Sequence, residues 1–188
     1  IAEQKSDILS QLQLEKKTFI LATVHRNSTT DNPERLTALI ESLMNLAIKH
    51  KEILVFPIHP RTRKQLTQNQ SKDLYKRLLE TENILITEPL TYLDMIQLER
   101  NAKLIITDSG GVQKEAYYFK KPCIIARPET EWEELLELRT AILCDVDKDK
   151  TEAAYLHYTD NPPHYFPSIF GDGKASEFIA EELFKFLS

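Results

Sequence analysis

The sequence predicts an α/β protein, a doubly wound parallel sheet of about six strands, and three observations carry that expectation. Short β-rich apolar runs alternate strictly with longer amphipathic segments. The runs are apolar almost without interruption, as strands covered on both faces must be. The 188 residues, 41% hydrophobic and 28% charged, suffice for one large domain with a sizeable core.

The expected strands are 18–24, 53–58, 84–87, 104–107, 123–126 and 141–144. Between them, 33–49 carries Leu36, Leu39, Ile40, Leu43 and Ala47 at helical spacing. Asn32 stands where a cap belongs, and Pro33 at the first helical position, where a missing N–H is harmless. Thr91 and Asp94 form a variant capping box that opens a helix to about Ala102. Further helices are expected over 110–119, 131–138 and 172–187, the last with Ile179, Leu183 and Phe186 on one face. The opening stretch, 1–17, is polar and helix-like, with Ile8, Leu9, Leu12 and Leu14 as its apolar positions. The stretch 155–170, with three prolines and several aromatics, reads as an irregular connection. No repeat or second domain stands out.

Composition bounds the partners. A formal charge of -5 argues against a generic nucleic-acid surface. No apolar run approaches the roughly 20 residues of a membrane helix, and no basic-then-apolar leader opens the chain, so neither anchoring nor export is expected. The two cysteines, Cys123 and Cys144, lie in apolar stretches and read as buried thiols of a reducing cytoplasm. Only four glycines occur, in two clusters, Gly110-Gly111 and Gly171-Asp172-Gly173. Use so sparing points either to backbone conformations that a Cβ would block or to two ordinary turns.

Ligands of open α/β sheets bind beyond the carboxyl ends of the strands. The residues that follow the expected strands are His25-Arg26, then His59-Pro60-Arg61, Glu88-Pro89, Asp108-Ser109-Gly110-Gly111 and Arg127. Two histidines, three arginines and a glycine turn thus converge on one edge. Ser109-Gly110-Gly111 leads straight into a helix, and bare amides at a helix start make a phosphate site. Glu115 lies about one turn further on. It suits hydrogen bonds to ribose hydroxyls, or it serves only to complement the helix dipole.

The motifs Thr23-Val-His25-Arg26, Phe56-Pro-Ile-His59-Pro, Thr107-Asp-Ser-Gly-Gly-Val-Gln-Lys-Glu115-Ala, Arg127-Pro-Glu-Thr-Glu-Trp132 and Phe170-Gly-Asp-Gly-Lys-Ala175 occur in this order. The series closely resembles the C-terminal domain of non-hydrolysing UDP-N-acetylglucosamine 2-epimerases, over nearly the whole chain. The resemblance implies a Rossmann-like domain of the two-domain glycosyltransferase-B architecture, here 1–188, with a terminal helix, 173–188, that packs on a missing N-terminal domain. It implies that Ser109, Gly110 and Gly111 hold the diphosphate of a UDP-sugar and that Glu115 binds the ribose. His25, with Arg26 beside it, and His59 would be cleft residues that serve catalysis. The segment 88–95, with Leu90 and Met95, would frame the uracil. No cofactor or metal is implied, and the full-length enzyme would be a homodimer. The family's usual second arginine after the fifth strand is Trp132 here, a form that resembles the branch acting on UDP-2,3-diacetamido-glucuronic acid. Met95 stands where an aromatic is usual. Two other functions fit the same edge: a glycosyltransferase of this architecture, and a nucleotide-binding module that catalyses nothing alone.

Overall fold

The computed structural model describes residues 2–68 and 71–187; Ile1 and Ser188, the ends of the expected first and last segments, lie outside the described residues. Two short helices, α1 (Ala2–Lys5) and α2 (Ile8–Gln11), replace the single helical stretch expected over 1–17. The chain turns after α2, where Gln13 takes a φ of 55, and Leu14 folds under the sheet, 3% exposed. The order then runs β1 (Phe19–Thr23), α3 (Asn27–Thr30), α4 (Pro33–Lys49) and β2 (Ile53–Pro57). Next come α5 (Pro60–Leu66), α6 (Lys72–Glu80), β3 (Ile84–Thr87), α7 (Tyr92–Asn101) and β4 (Leu104–Thr107). The remainder is α8 (Gly110–Tyr118), β5 (Cys123–Ile125), α9 (Glu133–Glu137), β6 (Ala141–Leu143), α10 (Lys148–Asp160) and α11 (Ala175–Leu187).

All six expected strands form, within a residue or two of their expected bounds, and every pairing between them is parallel. Their order is β3-β2-β1-β4-β5-β6. The winding therefore reverses between β1 and β4, and a crevice opens beyond the carboxyl ends of those two strands. Thr23 stands opposite Thr107 at the last rung of this pair, their hydroxyls 2.6 Å apart and buried.

Alternate strand residues feed two cores. Ile20, Ala22, Leu54, Phe56 and Ile106 face α4, α6 and α10, where Leu39, Leu43, Leu78 and Tyr155 meet them. Phe19, Leu21, Val55, Ile105 and Ile125 face the other layer, with Leu98 of α7, Ala116 of α8 and Leu135 of α9. Helix starts are capped as local chemistry demands. The Asn32 side chain accepts from the amides of Glu34 and Arg35, and Thr91 from that of Asp94. Asp147 caps α10 in the same way, by accepting from the Lys150 amide.

Three sequence expectations are corrected. The stretch 155–170 is not irregular throughout, because α10 extends to Asp160 and buries Tyr155 and Tyr158. Two helices, α5 and α6, fill the segment between β2 and β3, where the alternation implied one amphipathic segment without defined bounds; α6 buries only Leu74 and Leu78, a thin apolar signal. The glycines divide. Gly171 and Gly173 take φ of 83 and 84, but Gly110 and Gly111 begin a regular helix. The left-handed positions after α4, α8 and α9 fall instead to Lys51, Lys120 and Arg139.

Candidate functional site

Asp108 organises the crevice. It follows β4 directly and is fully buried. Its carboxylate accepts the backbone N–H of Arg26 at 2.8 Å and of His25 at 2.9 Å, so it ties the end of β4 to the loop after β1. Its Oδ1 also lies 3.4 Å from Nδ1 of His25. Burial raises the Asp108 pKa, and the two amides and the neighbouring cations oppose that rise. Burial likewise lowers the His25 pKa, against the pull of Asp108, while His59 and Arg26 lower it further. The His25 imidazole thus has Nδ1 turned to the carboxylate.

His59 caps α5, its Nδ1 accepting the Arg61 amide at 3.2 Å. Neutral His59 therefore carries its proton on Nε2. The two imidazoles stand 5.4 Å apart, centroid to centroid. They share the wall of a pocket of about 220 Å³ with Leu90, Met95 and Val112.

The glycine turn forms the adjoining wall. Ser109 caps α8, its hydroxyl accepting the Val112 amide, which leaves the Gly110 and Gly111 amides without a partner inside the helix. A Cβ on Gly110 would stand 3.1 Å from Glu131 Oε2, 3.6 Å from an Arg26 nitrogen and 3.6 Å from Trp132 Nε1. A Cβ here would crowd the end of the half-exposed Glu131 side chain, which would have to give by a few tenths of an ångström; φ is not positive at this position. Arg26 lies 3.7 Å from Glu131, and Arg127 donates to the same carboxylate at 2.5 Å. Those cations hold the Glu131 pKa below its usual value, Arg127 foremost. An acidic side chain thus stands at the positive end of α8, in the place a phosphate would take.

The three arginines expected at this edge do not serve alike. Arg127 is 5% exposed and is spent on Glu131 and the Glu129 carbonyl. Arg61 pairs with Asp31. Arg26 alone of the three both flanks the turn and stays half-exposed. Trp132 lies against the turn, but its indole N–H donates to the Gly110 carbonyl at 2.8 Å. Its ring packs edge-on against Phe170, and the Lys114 ammonium sits 4.4 Å from the centre of each ring.

Glu115 lies on α8, and its neighbours Tyr92 and Glu99 on α7 favour its charged form. Its pKa is raised, chiefly by burial. Glu99 is 1% exposed, and its Oε2 has no hydrogen-bond partner. Burial first, and the neighbouring Glu115 second, push its pKa up to about 8. Glu99 and the clamp formed by Asp108 were not foreseen from sequence, although Asp108 sits in the glycine-turn motif. Among the described residues no group of three or more His, Cys, Asp or Glu could hold a metal ion. Cys123 and Cys144 are buried and free, and burial pushes the Cys144 thiol up to about 12, out of reach as a nucleophile.

A doubly wound sheet with histidines, an arginine and an amide-lined helix start at its switch point defines an α/β domain of the doubly wound class, with a crevice suited to an anion. A comparison with known protein families is more specific: the UDP-N-acetylglucosamine 2-epimerase family model matches residues 1–184, and the chain belongs to that family. It is 40% identical, over 97% of its length, to a UDP-N-acetylglucosamine 2-epimerase homolog of Methanococcus maripaludis, of which it covers 49%. It is 38% identical, over 89% of its length, to a UDP-2,3-diacetamido-2,3-dideoxy-D-glucuronate 2-epimerase of Pseudomonas aeruginosa, of which it covers 44%. Among solved structures, the UDP-GlcNAc 2-epimerase of Methanocaldococcus jannaschii in complex with UDP-GlcNAc and UDP matches with a TM-score of 0.86 at 35% identity, over 98% of this chain and 50% of that one. The chain thus spans about half the length of the relatives it matches.

Two outcomes follow from the geometry. Asp108→Ala removes the acceptor of two amides and should cost roughly 1–3 kcal/mol of stability, whereas Asp108→Asn, which keeps an acceptor oxygen, should cost clearly less; urea unfolding of both variants measures the difference. Glu99 is protonated in the fold and ionised when unfolded, so its favourable contribution is complete below the ordinary carboxylate pKa and is lost as pH rises to about 8. Glu99→Gln should therefore match the parent's melting temperature in acid and exceed it by a growing margin up to about pH 8, as thermal melts across that range would register.

Proposed function

We propose that the chain is the nucleotide-holding, C-terminal half of a non-hydrolysing UDP-GlcNAc 2-epimerase that interconverts UDP-GlcNAc and UDP-ManNAc. The observation that carries this reading is the pair of glycine amides at the start of α8, placed at the switch point beside His25 and Arg26. Family membership and the structural likeness to an epimerase complexed with UDP-GlcNAc and UDP support it.

Each residue then has a task. The Gly110 and Gly111 amides, with the Ser109 hydroxyl, bind the diphosphate, and Arg26 adds a cation. That binding displaces the Glu131 carboxylate from the helix start. Leu90 and Met95 line the uracil side of the pocket, and Glu115 accepts from the ribose hydroxyls. Trp132, locked to the Gly110 carbonyl, stiffens the wall behind the phosphates. His25 and His59 face the diphosphate and the sugar. Loss of the proton at C2 breaks the C1–O bond and releases UDP, leaving a 2-acetamidoglucal; UDP then adds back as a proton returns to the opposite face of C2. The developing charge is on the leaving diphosphate, so fixed amides and Arg26 stabilise it as it forms. The acid and base at C2 belong to an N-terminal domain outside this chain.

That second domain also accounts for α11, which buries none of its residues and exposes Phe178, Ile179, Leu183, Phe184 and Phe186. We read it as a helix that packs on the N-terminal domain, and the full-length enzyme as a homodimer, the latter on the family resemblance alone. A reducing cytoplasmic setting suits the two buried free thiols. A second substrate, UDP-2,3-diacetamido-glucuronic acid, is favoured by Trp132 in place of an arginine and by the similarity to the Pseudomonas enzyme.

The full-length protein should exchange the C2 proton for deuterium in one or both of these UDP-sugars, as proton NMR in D2O would reveal. Exchange in neither, with UDP still bound, would leave a binding module instead of an epimerase; the present chain alone should show no exchange. Gly110→Val should weaken UDP binding by at least about tenfold and lower the melting temperature only modestly, because the displaced Glu131 and Arg26 side chains lie at the half-exposed rim. Calorimetric titration beside thermal melting separates this from a purely structural turn, for which stability would fall and affinity would not.

A further inference from the structure

Glu131 reaches the start of α8 because the chain on both sides of it is fixed to that helix. Thr130 donates its hydroxyl to Oε1 of Gln113, a fully buried residue of α8, at 2.6 Å. The Trp132 amide donates to the Thr130 hydroxyl at 3.1 Å, and its indole to the Gly110 carbonyl at 2.8 Å. The side chain between these two anchors lies against the glycine turn, where its Oε2 would stand 3.1 Å from a Cβ on Gly110. Arg127 donates to that same oxygen at 2.5 Å, and Arg26 lies 3.7 Å from the other one. The carboxylate thus occupies the positive end of a nine-residue helix whose first two amides have no partner inside it.

We propose that Glu131 is an autoinhibitory residue: its carboxylate competes with the diphosphate of the nucleotide for the α8 start and for Arg26. The inference rests on the nucleotide reading above and deepens it. A phosphate that approaches Gly110 meets a like charge, which must turn aside or be endured, and either outcome weakens binding. The side chain is free to turn. It is half-exposed, and its two anchors, Thr130 and Trp132, hold without it. Arg127, nearly buried, is not stranded by the movement, because its Nε still donates to the Glu129 carbonyl at 3.0 Å.

Such a competition sets a threshold. It burdens every anion that needs the helix start by the same factor, whether or not a nucleoside carries it. A free phosphate or pyrophosphate has the amides and Arg26 to set against that burden. On the nucleotide reading, UDP has in addition the apolar wall of Leu90, Met95 and Val112 for its base. The site then stays closed to small anions and opens to nucleotides. If Glu131 served only to hold the two arginines in place, the sign would be opposite: removal of its charge would loosen them and weaken the ligand.

The experiment is calorimetric titration of the full-length protein with UDP, inorganic pyrophosphate and uridine, for the parent, Glu131→Gln and Glu131→Ala, beside thermal melting of each. Glu131→Gln keeps an acceptor oxygen for Arg127 and removes only the charge; Glu131→Ala removes the competing group altogether. Both variants should bind UDP at least about fivefold more tightly than the parent. They should gain by a similar factor for pyrophosphate, and should bind uridine, which carries no phosphate, as the parent does. UDP affinity that is unchanged or weaker in both variants overturns the competition. So does an equal gain for uridine, which would mark a general change in the pocket, and so does loss of the folded state in both, which would make Glu131 a structural residue. UDP bound by neither the parent nor the variants overturns the nucleotide reading itself, which is a different failure and visible as such.

Discussion

The crevice depends on one buried anion. Asp108 closes the gap between the two strands at which the sheet reverses its winding, and it does so with hydrogen bonds from the His25 and Arg26 amides. A charged acceptor on two backbone donors is about twice as strong as its neutral counterpart, and it fixes the direction of the loop after β1. The consequences run outward from it. His25 can present only one ring nitrogen, because Nδ1 faces the carboxylate. Arg26, whose backbone is pinned, has its side chain delivered to the glycine turn. The Thr23–Thr107 hydroxyl pair one rung below closes the floor. Without the anion, the amides of this loop would be buried and unpaired, and the switch point would open.

Above that floor Glu131 sits over the α8 start, between Arg26 and Arg127, and supplies the negative charge that the helix dipole and the two cations call for. The positive charge gathered at this edge is thus neutralised locally, in a chain whose formal net charge is -5. Arg127 is nearly buried, whereas Arg26 is half-exposed.

Much of this was legible in the sequence, and the exceptions have physical reasons. Continuous apolar runs such as Phe19–Thr23 and Leu104–Thr107 point to buried strands, so the sheet and the edge beyond its strands could be read directly. The Asn32 and Thr91 caps were equally plain, because a cap is a local device. Helix α10 was hidden because it buries Thr151, Ala154, Tyr155 and Tyr158, which make no clean apolar stripe, and because prolines crowd the segment after it. At the site, sequence placed the groups on the right edge but not their pairings. Three arginines look alike in a string of letters; burial and the positions of Asp31, Glu129 and Glu131 decide that Arg26 alone is available. Glu99 was invisible for a related reason: a glutamate in a helix is ordinarily on its wet face, and only the packing of α7 on α8 turns this one inward.

The distribution of polar and apolar surface also explains why the site is open on one side. The walls supplied here carry the unpartnered amides of a helix start, two imidazoles and the Arg26 guanidinium, groups whose chemistry suits an anion. Two of the carboxylates near the crevice are engaged within the protein, Asp108 by two amides and Glu131 by two arginines. The apolar side chains of α11, carried on one helix with none of them buried, leave a further apolar surface on this chain.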